Sequence, residues 1–292
     1  MDTNGGRVRV GMFAPFGPFA GGPEQRRATL DRIADSGVDH VCVGDHVSFF
    51  VGAGADGLII ATSLLTHFAE LPCYVALYLL PLRHPLPVAR QLASIAELAP
   101  GRLTLGVGIG GEDRHELEIC GVDPSTRGRR MDECLRILRA LSTGDPTTFD
   151  GEFFSLQDAL IVPSPSPPIP VIVGGRSDAA VRRAGQLGDG WLGIWVSPRR
   201  FAAVVGQIAH EAGEVGRDPA GFRARHQRLV RLWPHPRRRP RVARGGNAEL
   251  LPHALRSLRA LLPVRDPGGR CRVPPSLRRS RLLGVQRDRA RR

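Results

Sequence analysis

Residues 101–113, GRLTLGVGIGGED, hold the pattern that decides the fold, an apolar run that ends abruptly in glycines and acidic residues. The same pattern recurs in VDHVCVGDH (38–46), PPIPVIVGGRS (167–177) and LGDGWLGIW (187–195). Continuous Val, Ile and Leu runs are typical of parallel strands that helices cover on both faces, and catalytic loops collect at the carboxyl ends of such strands. The apolar runs therefore predict the fold, and the polar clusters predict where the chemistry lies.

Segments with helical periodicity separate these runs. Val88, Leu92, Ile95 and Ala99 recur at spacings of four, three and four, which indicates an amphipathic helix. The pattern predicts strands near 8–13, 40–44, 74–79, 103–107, 170–173 and 190–195, and helices near 23–36, 57–70, 86–98, 125–142, 177–187 and 198–213. Six consecutive βα units predict an α/β fold with a parallel sheet, either an open doubly wound sheet or a barrel. Segment 145–168 predicts an irregular insertion before the fifth strand.

Charge divides the chain in two. Residues 1–222 hold 20 Arg and 25 acidic residues, a net charge of −5, whereas residues 223–292 hold 21 Arg and 3 acidic residues, a net charge of +18. The formal net charge of +13 therefore comes from the tail alone, and no Lys contributes to it. This division predicts one folded domain over 1–222, long enough for a sizeable core, followed by an Arg-rich tail over 223–292.

Several classes of protein are disfavoured by what the chain lacks. No apolar run approaches the roughly 18 residues of a membrane span, and the first residues lack a signal-peptide core, so we expect a cytoplasmic protein without membrane contact. The cysteines are Cys42, Cys73, Cys120, Cys134 and Cys271. This odd, scattered set without a CxxC pair predicts neither a disulfide framework nor a metal site.

Several stretches taken together resemble the luciferase-like family of flavin and deazaflavin oxidoreductases, which are (β/α)8 TIM barrels that bind FMN or the deazaflavin coenzyme F420. The stretches are VCVGDHVSF (41–49), LLPLRHPLPVARQLASIAELAPGRLTLGVGIGGED (79–113), RGRRMDECLRILRAL (127–141), PVIVGGRSDAAVRRAGQLGDGWLGIW (170–195) and GRDP (216–219). The resemblance covers about 1–222 and is nearest to the members that use the deazaflavin. It implies an enzyme that acts on a small organic substrate, and it allows a homodimer for the intact family member.

The residues themselves favour a flat, anionic cofactor. Gly174 and Gly175 separate a strand from a helix that starts at Arg176 and Ser177, so exposed N–H groups, the helix dipole and a guanidinium predict a phosphate site. The alternative is a tight turn that requires glycine. A second glycine run, which includes Gly108 and Gly110, leaves a strand end almost without side chains, where a planar ring can lie against the backbone.

The run GVGIGG (106–111) also satisfies the dinucleotide fingerprint GxGxxG. That fingerprint requires an apolar helix immediately after the glycines, so that the helix packs on the strand. The polar, turn-rich sequence EDRHELEICGVDPSTRG follows instead, at 112–128. A dinucleotide-binding fold is therefore the weaker interpretation.

Asp45 and His46 end the second strand, and the resemblance implies that both face the reactive edge of the cofactor. Histidine can both give and take a proton near neutral pH, so His46 is the first candidate for catalysis. Glu112 is the second candidate, because family members often carry an acidic residue just after the glycine run. The alternative roles are a helix cap for Asp45, a structural His46 and a solvated loop carboxylate for Glu112.

The third strand ends near Ala76 and Leu77, where members of the family often hold a non-proline cis peptide against the cofactor ring. The resemblance therefore places both residues at the cofactor. Their sequence by itself contains no signal for a cis bond.

The tail departs from the family, because residues 223–292 show no useful strand or helix periodicity where a seventh and an eighth strand are expected. Codons can be chosen for the residues from Val264 onward such that the reading frame shifted forward by one base encodes YGTPEDVAAFLRPYVEAGCSAFNVI. That sequence looks like the last helix and strand of the family. The same shift over 225–233 permits GINVWCGF, which looks like the seventh strand. The interpretation is that the frame slips near 222–225 and that 223–292 is an out-of-frame, disordered peptide.

The competing interpretation is a natural Arg-rich tail that binds nucleic acid through phosphate contacts. Trp233 is the only aromatic residue of the tail, which makes base stacking, and hence this function, the less favoured alternative. The predicted function is hydride transfer between coenzyme F420 and a small organic substrate. An FMN-dependent monooxygenase of the same fold is the alternative.

Overall fold

The structure is a computed structural model that describes residues 9–14, 22–227, 264–265 and 271–272. The chain divides into two units, residues 1–229 and residues 230–292. The elements of the first unit are β1 (Gly11–Phe13), α1 (Pro23–Asp35), β2 (His40–Val43), β3 (His46–Phe49), β4 (Ala53–Ala55), α2 (Gly57–His67), β5 (Cys73–Tyr78), α3 (Pro85–Leu98), β6 (Leu103–Val107), α4 (Arg114–Ile119), α5 (Arg127–Leu141), β7 (Thr147–Asp150), β8 (Ser155–Ala159), β9 (Val171–Gly174), α6 (Asp178–Leu187), β10 (Gly190–Ile194), α7 (Pro198–Gly213) and β11 (Arg223–Gln227).

Within the described part of this unit, seven strands form one curled parallel sheet in the order β1-β2-β5-β6-β9-β10-β11. The predicted six strands and six helices are confirmed, with ends that differ by at most about three residues. The architecture is that of a partial (β/α)8 barrel, in which helices cover the outer face of a parallel sheet.

Alternate residues of the strands enter two different apolar clusters. Val41, Val43 and Val75 pack into the large core between the sheet and the helices. Cys42 and Tyr74 belong to a small cluster with Ile172 and Leu192 on the opposite face. Because successive side chains of a strand point to opposite faces, this division identifies the small cluster as the inner side of the curled sheet.

The structure departs from the sequence prediction in three segments. The polar segment after the glycine run contains the short helix α4, and the insertion at 145–168 contains the antiparallel pair of β7 and β8. Glu133 of α5 organises the turn between these strands, because its carboxylate accepts hydrogen bonds from the backbone N–H groups of 152, 153 and 154 at 2.8, 3.0 and 3.2 Å. A tertiary contact of this kind leaves no trace in local periodicity.

The third correction concerns the seventh strand, since the sequence predicted no strand after Arg223. β11 pairs in parallel with β10, from Gly190 opposite Arg223 to Ile194 opposite Gln227. The Arg223 N–H donates to the Asp189 carbonyl at 3.0 Å. Main-chain pairing of this kind places the sequence RARHQ in the sheet, although polar and apolar residue types do not alternate along it.

The second unit is described only at Val264–Arg265 (β12) and Cys271–Arg272 (β13), which form a short antiparallel pair. Most of the predictions for the tail, including the disordered peptide and the role of Trp233, fall outside the described residues. Among the helices that the structure describes, none has the length and the apolar character needed to cross a bilayer.

Candidate active site

The predicted site residues follow neighbouring strands of one parallel sheet. Strands β2, β5, β6 and β9 lie side by side, so the residues that follow them share one edge of the sheet, which we call the C-terminal edge. At or near this edge lie all the predicted residues, with Ala76 and Leu77 in the last part of β5 and Gly174 at the end of β9: Asp45, His46, Ala76, Leu77, Gly108, Gly110, Glu112, Gly174, Gly175, Arg176 and Ser177. β2 and β9 are three strand spacings apart, about 14 Å in a flat sheet.

His46 is held by a carboxylate that the sequence did not single out. Its Nδ1 lies 3.0 Å from Oε2 of Glu116 in α4, and 70 residues separate the two positions. The side chain of His46 is 29% exposed, that of Glu116 only 4%. The other ring nitrogen, Nε2, has no hydrogen-bond partner within the described part of the chain. The ring also stacks on Phe49 with a centroid distance of 4.0 Å, which further restricts its orientation.

Glu116 also fixes the backbone around the histidine. Its Oε1 accepts hydrogen bonds from the N–H groups of Val47 at 2.7 Å and Ser48 at 3.0 Å. Asp113 caps α4 by accepting from the N–H of His115, and it also accepts from the N–H of Phe50 at 2.6 Å. Helix α4 therefore clamps the β3 segment that carries His46.

Glu112, the acidic residue predicted from the resemblance, lies exposed on the loop before α4. The residue beside His46 is four positions later, because the short helix turns Glu116 toward β3. The signal that could have found it is the spacing D-x-x-E at 113–116, since an N-cap residue followed by Glu three positions later marks a helix start.

Asp45 is fully enclosed, with a side-chain exposure of 0%. Its oxygens accept hydrogen bonds from the N–H of Gly57 at 2.8 Å, the N–H of Leu79 at 2.8 Å and the Arg83 guanidinium at 2.7 and 2.9 Å. Burial raises the pKa of the Asp45 carboxyl, and Arg83 and the backbone donors oppose that rise. Through these contacts Asp45 joins β2, α2 and the end of β5, and the cofactor contact that the resemblance implied stays a prediction.

Leu77 occupies the space that the glycines of neighbouring strands leave free. The peptide between Ala76 and Leu77 is cis, at the position where the resemblance implied such a bond. A Cβ added at Gly108 would lie 3.0 Å from a Leu77 methyl group, and one added at Gly174 would overlap the same side chain. The glycines therefore accommodate Leu77, and the partly exposed surface beside them is apolar rather than bare backbone.

Gly110 has a different role from these two glycines. Its φ is +68°, in the left-handed region that glycine adopts at least cost, and its nearest neighbours are methyl groups at 3.7 and 4.0 Å. Backbone conformation therefore explains this glycine, since the chain must turn from β6 toward α4.

The predicted phosphate site is an exposed helix start. Gly175 has φ +130°, and its carbonyl accepts a hydrogen bond at 2.8 Å from the indole N–H of Trp191, a residue with 0% exposure. Ser177 caps α6 by accepting from the N–H of Ala180 at 3.3 Å. Arg176 and Ser177 are both exposed. The buried Trp191 thus fixes a turn that presents the positive end of α6 to solvent.

These features fit a flat cofactor with an anionic tail. Leu77 supplies an apolar surface in the middle of the edge, His46 lies after β2, and the exposed start of α6 lies after β9. The apolar surface of Leu77 suits an aromatic ring system, and the exposed start of α6 suits a phosphate. His46 is the group at this edge that can exchange a proton.

Comparison with known proteins agrees with this fold. The chain belongs to the luciferase-like monooxygenase family, whose model matches residues 8–242. An uncharacterised protein of Mycobacterium tuberculosis is 42% identical over 138 residues, 46% of this chain and 47% of the relative. An F420-dependent glucose-6-phosphate dehydrogenase of Beutenbergia cavernae is 32% identical over 203 residues, 63% of this chain and 56% of the relative.

Solved structures share the fold. An F420-dependent secondary alcohol dehydrogenase in complex with an F420-acetone adduct superposes with a TM-score of 0.66 and 22% identity, over 75% of this chain and 68% of that chain. The oxygenating constituent of 3,6-diketocamphane monooxygenase of Pseudomonas putida, in complex with FMN, gives 0.61 and 18%, over 74% and 66%. The chain spans about half the length of the curated relatives it matches. The predicted family and fold are confirmed, and the family is one of enzymes.

Proposed function

We propose that this chain is a deazaflavin-dependent oxidoreductase that moves a hydride between coenzyme F420 and a small organic substrate. The observation that carries the proposal is the pair of His46 and Glu116, because a buried carboxylate on Nδ1 leaves Nε2 as the nitrogen that can exchange a proton. The same edge of the sheet carries the apolar surface of Leu77 and the exposed start of α6.

The residues of this chain have separate roles in the proposal. The deazaflavin, when bound, supplies or accepts the hydride. Glu116 holds the proton of His46 on Nδ1 and stabilises the imidazolium, in the way that a carboxylate orients the histidine of a catalytic triad. His46 then gives or takes the substrate proton at Nε2. Gly175, Arg176 and Ser177 bind the anionic tail.

The choice of cofactor rests on the relatives, several of which are named as F420-dependent enzymes. An FMN-dependent monooxygenase is the second candidate, because a protein of the same fold contains FMN. Titration of the full chain with each cofactor, followed by fluorescence, separates the two. We expect tighter binding of F420. Tighter binding of FMN, together with substrate-dependent consumption of oxygen, would establish the monooxygenase instead.

Variants of the two glutamates test the role of His46. We expect His46→Gln and Glu116→Gln to slow single-turnover hydride transfer about a hundredfold, the lower end of general acid–base contributions, while binding of F420 changes little. Glu112→Gln is the matched control, and it should remain within about twofold of the parent chain because its carboxylate is exposed. If Glu112→Gln is the slower variant, the assignment of Glu116 is wrong.

For the tail we propose that residues 223–292 are translated in a shifted frame. The step in charge at residue 222 and the similarity to structures over about three quarters of the chain support this, although the family model extends to residue 242. The pairing of β11 with β10 uses the main chain, so it is compatible with either frame. Nucleotide sequencing of an independent clone across codons 215–230 should reveal an indel, and a chain restored after residue 222 should melt at a higher temperature. An unchanged frame and an unchanged melting temperature would refute the proposal.

A further inference from the structure

A cavity of about 270 Å³ lies at the opposite edge of the sheet, which we call the N-terminal edge. Its walls are apolar side chains of α3 and α5 and of the segment before β9, among them Ala89, Leu92, Leu135, Leu138 and Ile169. The cavity also touches residues at the starts of β9 and β11. It is therefore separated from the candidate active site by the length of the strands, about 15 Å for four or five residues.

The charged residues that line the cavity are Arg139, Asp189 and Arg223. Both carboxylate oxygens of Asp189 already accept hydrogen bonds. Its Oδ1 accepts them from Arg139 at 3.1 Å and from Arg217 at 3.2 Å, and its Oδ2 accepts one from the N–H of Val171 at 3.0 Å. One carboxylate thus binds two guanidinium groups, and a third, that of Arg223, lines the same cavity.

Donors of these guanidinium groups remain available. Within the described part of the chain, Nε and Nη1 of Arg139 and the whole guanidinium of Arg223 have no hydrogen-bond partner. Both side chains are exposed at the surface beside the cavity. Burial and the positive charge of Arg139 lower the pKa of Arg217, which agrees with an excess of positive charge at this place.

We propose that this cavity binds a small amphipathic anion, a carboxylate with a hydrocarbon chain of about eight carbons. The apolar walls take the chain, and Arg139 binds the carboxylate through its Nε and Nη1 donors, which its contacts with Leu187 and Asp189 leave available. The cavity volume of about 270 Å³ leaves room for a chain of this length. The site is independent of the cofactor and of hydride transfer.

Calorimetric titration of the full chain with sodium octanoate tests the site, with 1-octanol and octyltrimethylammonium as probes of the head group. We expect saturable binding of octanoate, weaker binding of octanol and no binding of the cation. Ala89→Leu, which fills the cavity, and Arg139→Gln, which removes the charge, should each weaken octanoate binding about tenfold or more. Arg129→Gln is the matched control, because Arg129 lies on the same helix in an exposed ion pair with Glu152.

Circular dichroism of each variant checks that it is folded, so that lost binding reports on the site. The proposal is wrong if octanoate shows no saturable binding, if the cation binds as tightly as octanoate, or if folded Ala89→Leu and Arg139→Gln both bind octanoate like the parent chain. Equal affinity for octanol and octanoate would refute the role of Arg139.

Discussion

At each edge of the parallel sheet one aspartate connects neighbouring segments of the chain, and the two aspartates differ in burial. Asp45 at the C-terminal edge is fully enclosed and binds Arg83, whose side chain is 16% exposed. Asp189 at the N-terminal edge is 34% exposed, and its arginine partners, Arg139 and Arg217, are 45% and 29% exposed. Both carboxylates also accept hydrogen bonds from backbone N–H groups of neighbouring segments.

The comparison shows that similar hydrogen-bond patterns can serve different ends. Water can replace a lost partner at an exposed ion pair, whereas removal of one partner of a buried pair leaves the other charge without solvation. The buried pair therefore holds the segments that carry His46 and Leu77 in place. The exposed group at the other edge keeps guanidinium donors accessible, which is what a ligand site requires.

The largest effect is expected from removing the two carboxylates one at a time. Asp45→Ala should lower the free energy of unfolding by about 3–5 kcal/mol, because Arg83 and two backbone N–H groups lose their acceptor in a buried place. Asp189→Ala should cost about 1 kcal/mol, because its partners are reached by water. Urea denaturation of both variants measures the difference. Equal losses would show that burial does not distinguish the two edges.

A smaller effect is expected from adding one methyl group at each edge. In Gly190→Ala the new Cβ overlaps the backbone carbonyl of Arg223, whereas in Gly174→Ala it overlaps the methyl end of Leu77. A backbone atom of a paired strand cannot move aside, so we expect losses of about 2–3 and about 1 kcal/mol, respectively.

Gly206→Ala in α7 is the control for this pair, because nothing lies within 4 Å of the new Cβ. It should raise stability by about 0.5–1 kcal/mol, since alanine favours the helix over glycine. Thermal melting compares the three variants. A larger loss for Gly174→Ala than for Gly190→Ala would mean that Leu77 is the more rigid obstacle.

The smallest effect on stability is expected from the ionisation of a buried thiol at alkaline pH. Cys73 begins β5 at the N-terminal edge, and burial raises the pKa of its thiol from 9.0 to about 12. The unfolded state ionises first, so the contribution of this thiol to stability is complete below pH 9 and is lost as the pH rises from 9 toward 12. The loss reaches about 1.4 kcal/mol at pH 10, one unit above the ordinary pKa.

Cys73→Ala should remove that part of the dependence of the free energy of unfolding on pH. Urea denaturation at pH 8 and pH 10 measures it. The chain contains no Lys, so Cys and Tyr dominate its titration in this range, and the difference between parent and variant is easy to observe. As a check at the other edge, Cys120 is only partly buried and should react with iodoacetamide before Cys73 does. An unchanged slope in Cys73→Ala would contradict the raised pKa.

Much of the fold and part of the site could be predicted from the sequence. The strands that end in GDH, GVGIGG and VGGRS are local apolar runs, so their shared edge followed from the pattern. The cis bond between Ala76 and Leu77 was expected from the resemblance alone. The interpretation of the glycines was incomplete, because Leu77 reaches Gly108 and Gly174 from a different strand. The sequence did not single out Glu116, which a short helix brings to His46.

The sequence by itself determined six strands of the parallel sheet and the six longer helices, and where along each of them the polar residues fall, because hydrophobic periodicity acts over a few residues. Only the tertiary structure decided which polar groups meet. Glu116 reaches His46 across 70 positions, Arg83 reaches Asp45 across 38, and Arg139 reaches Asp189 across 50. Such contacts depend on how the chain packs around the sheet, and that packing minimises buried, unpaired polar groups over the whole molecule rather than within any one segment.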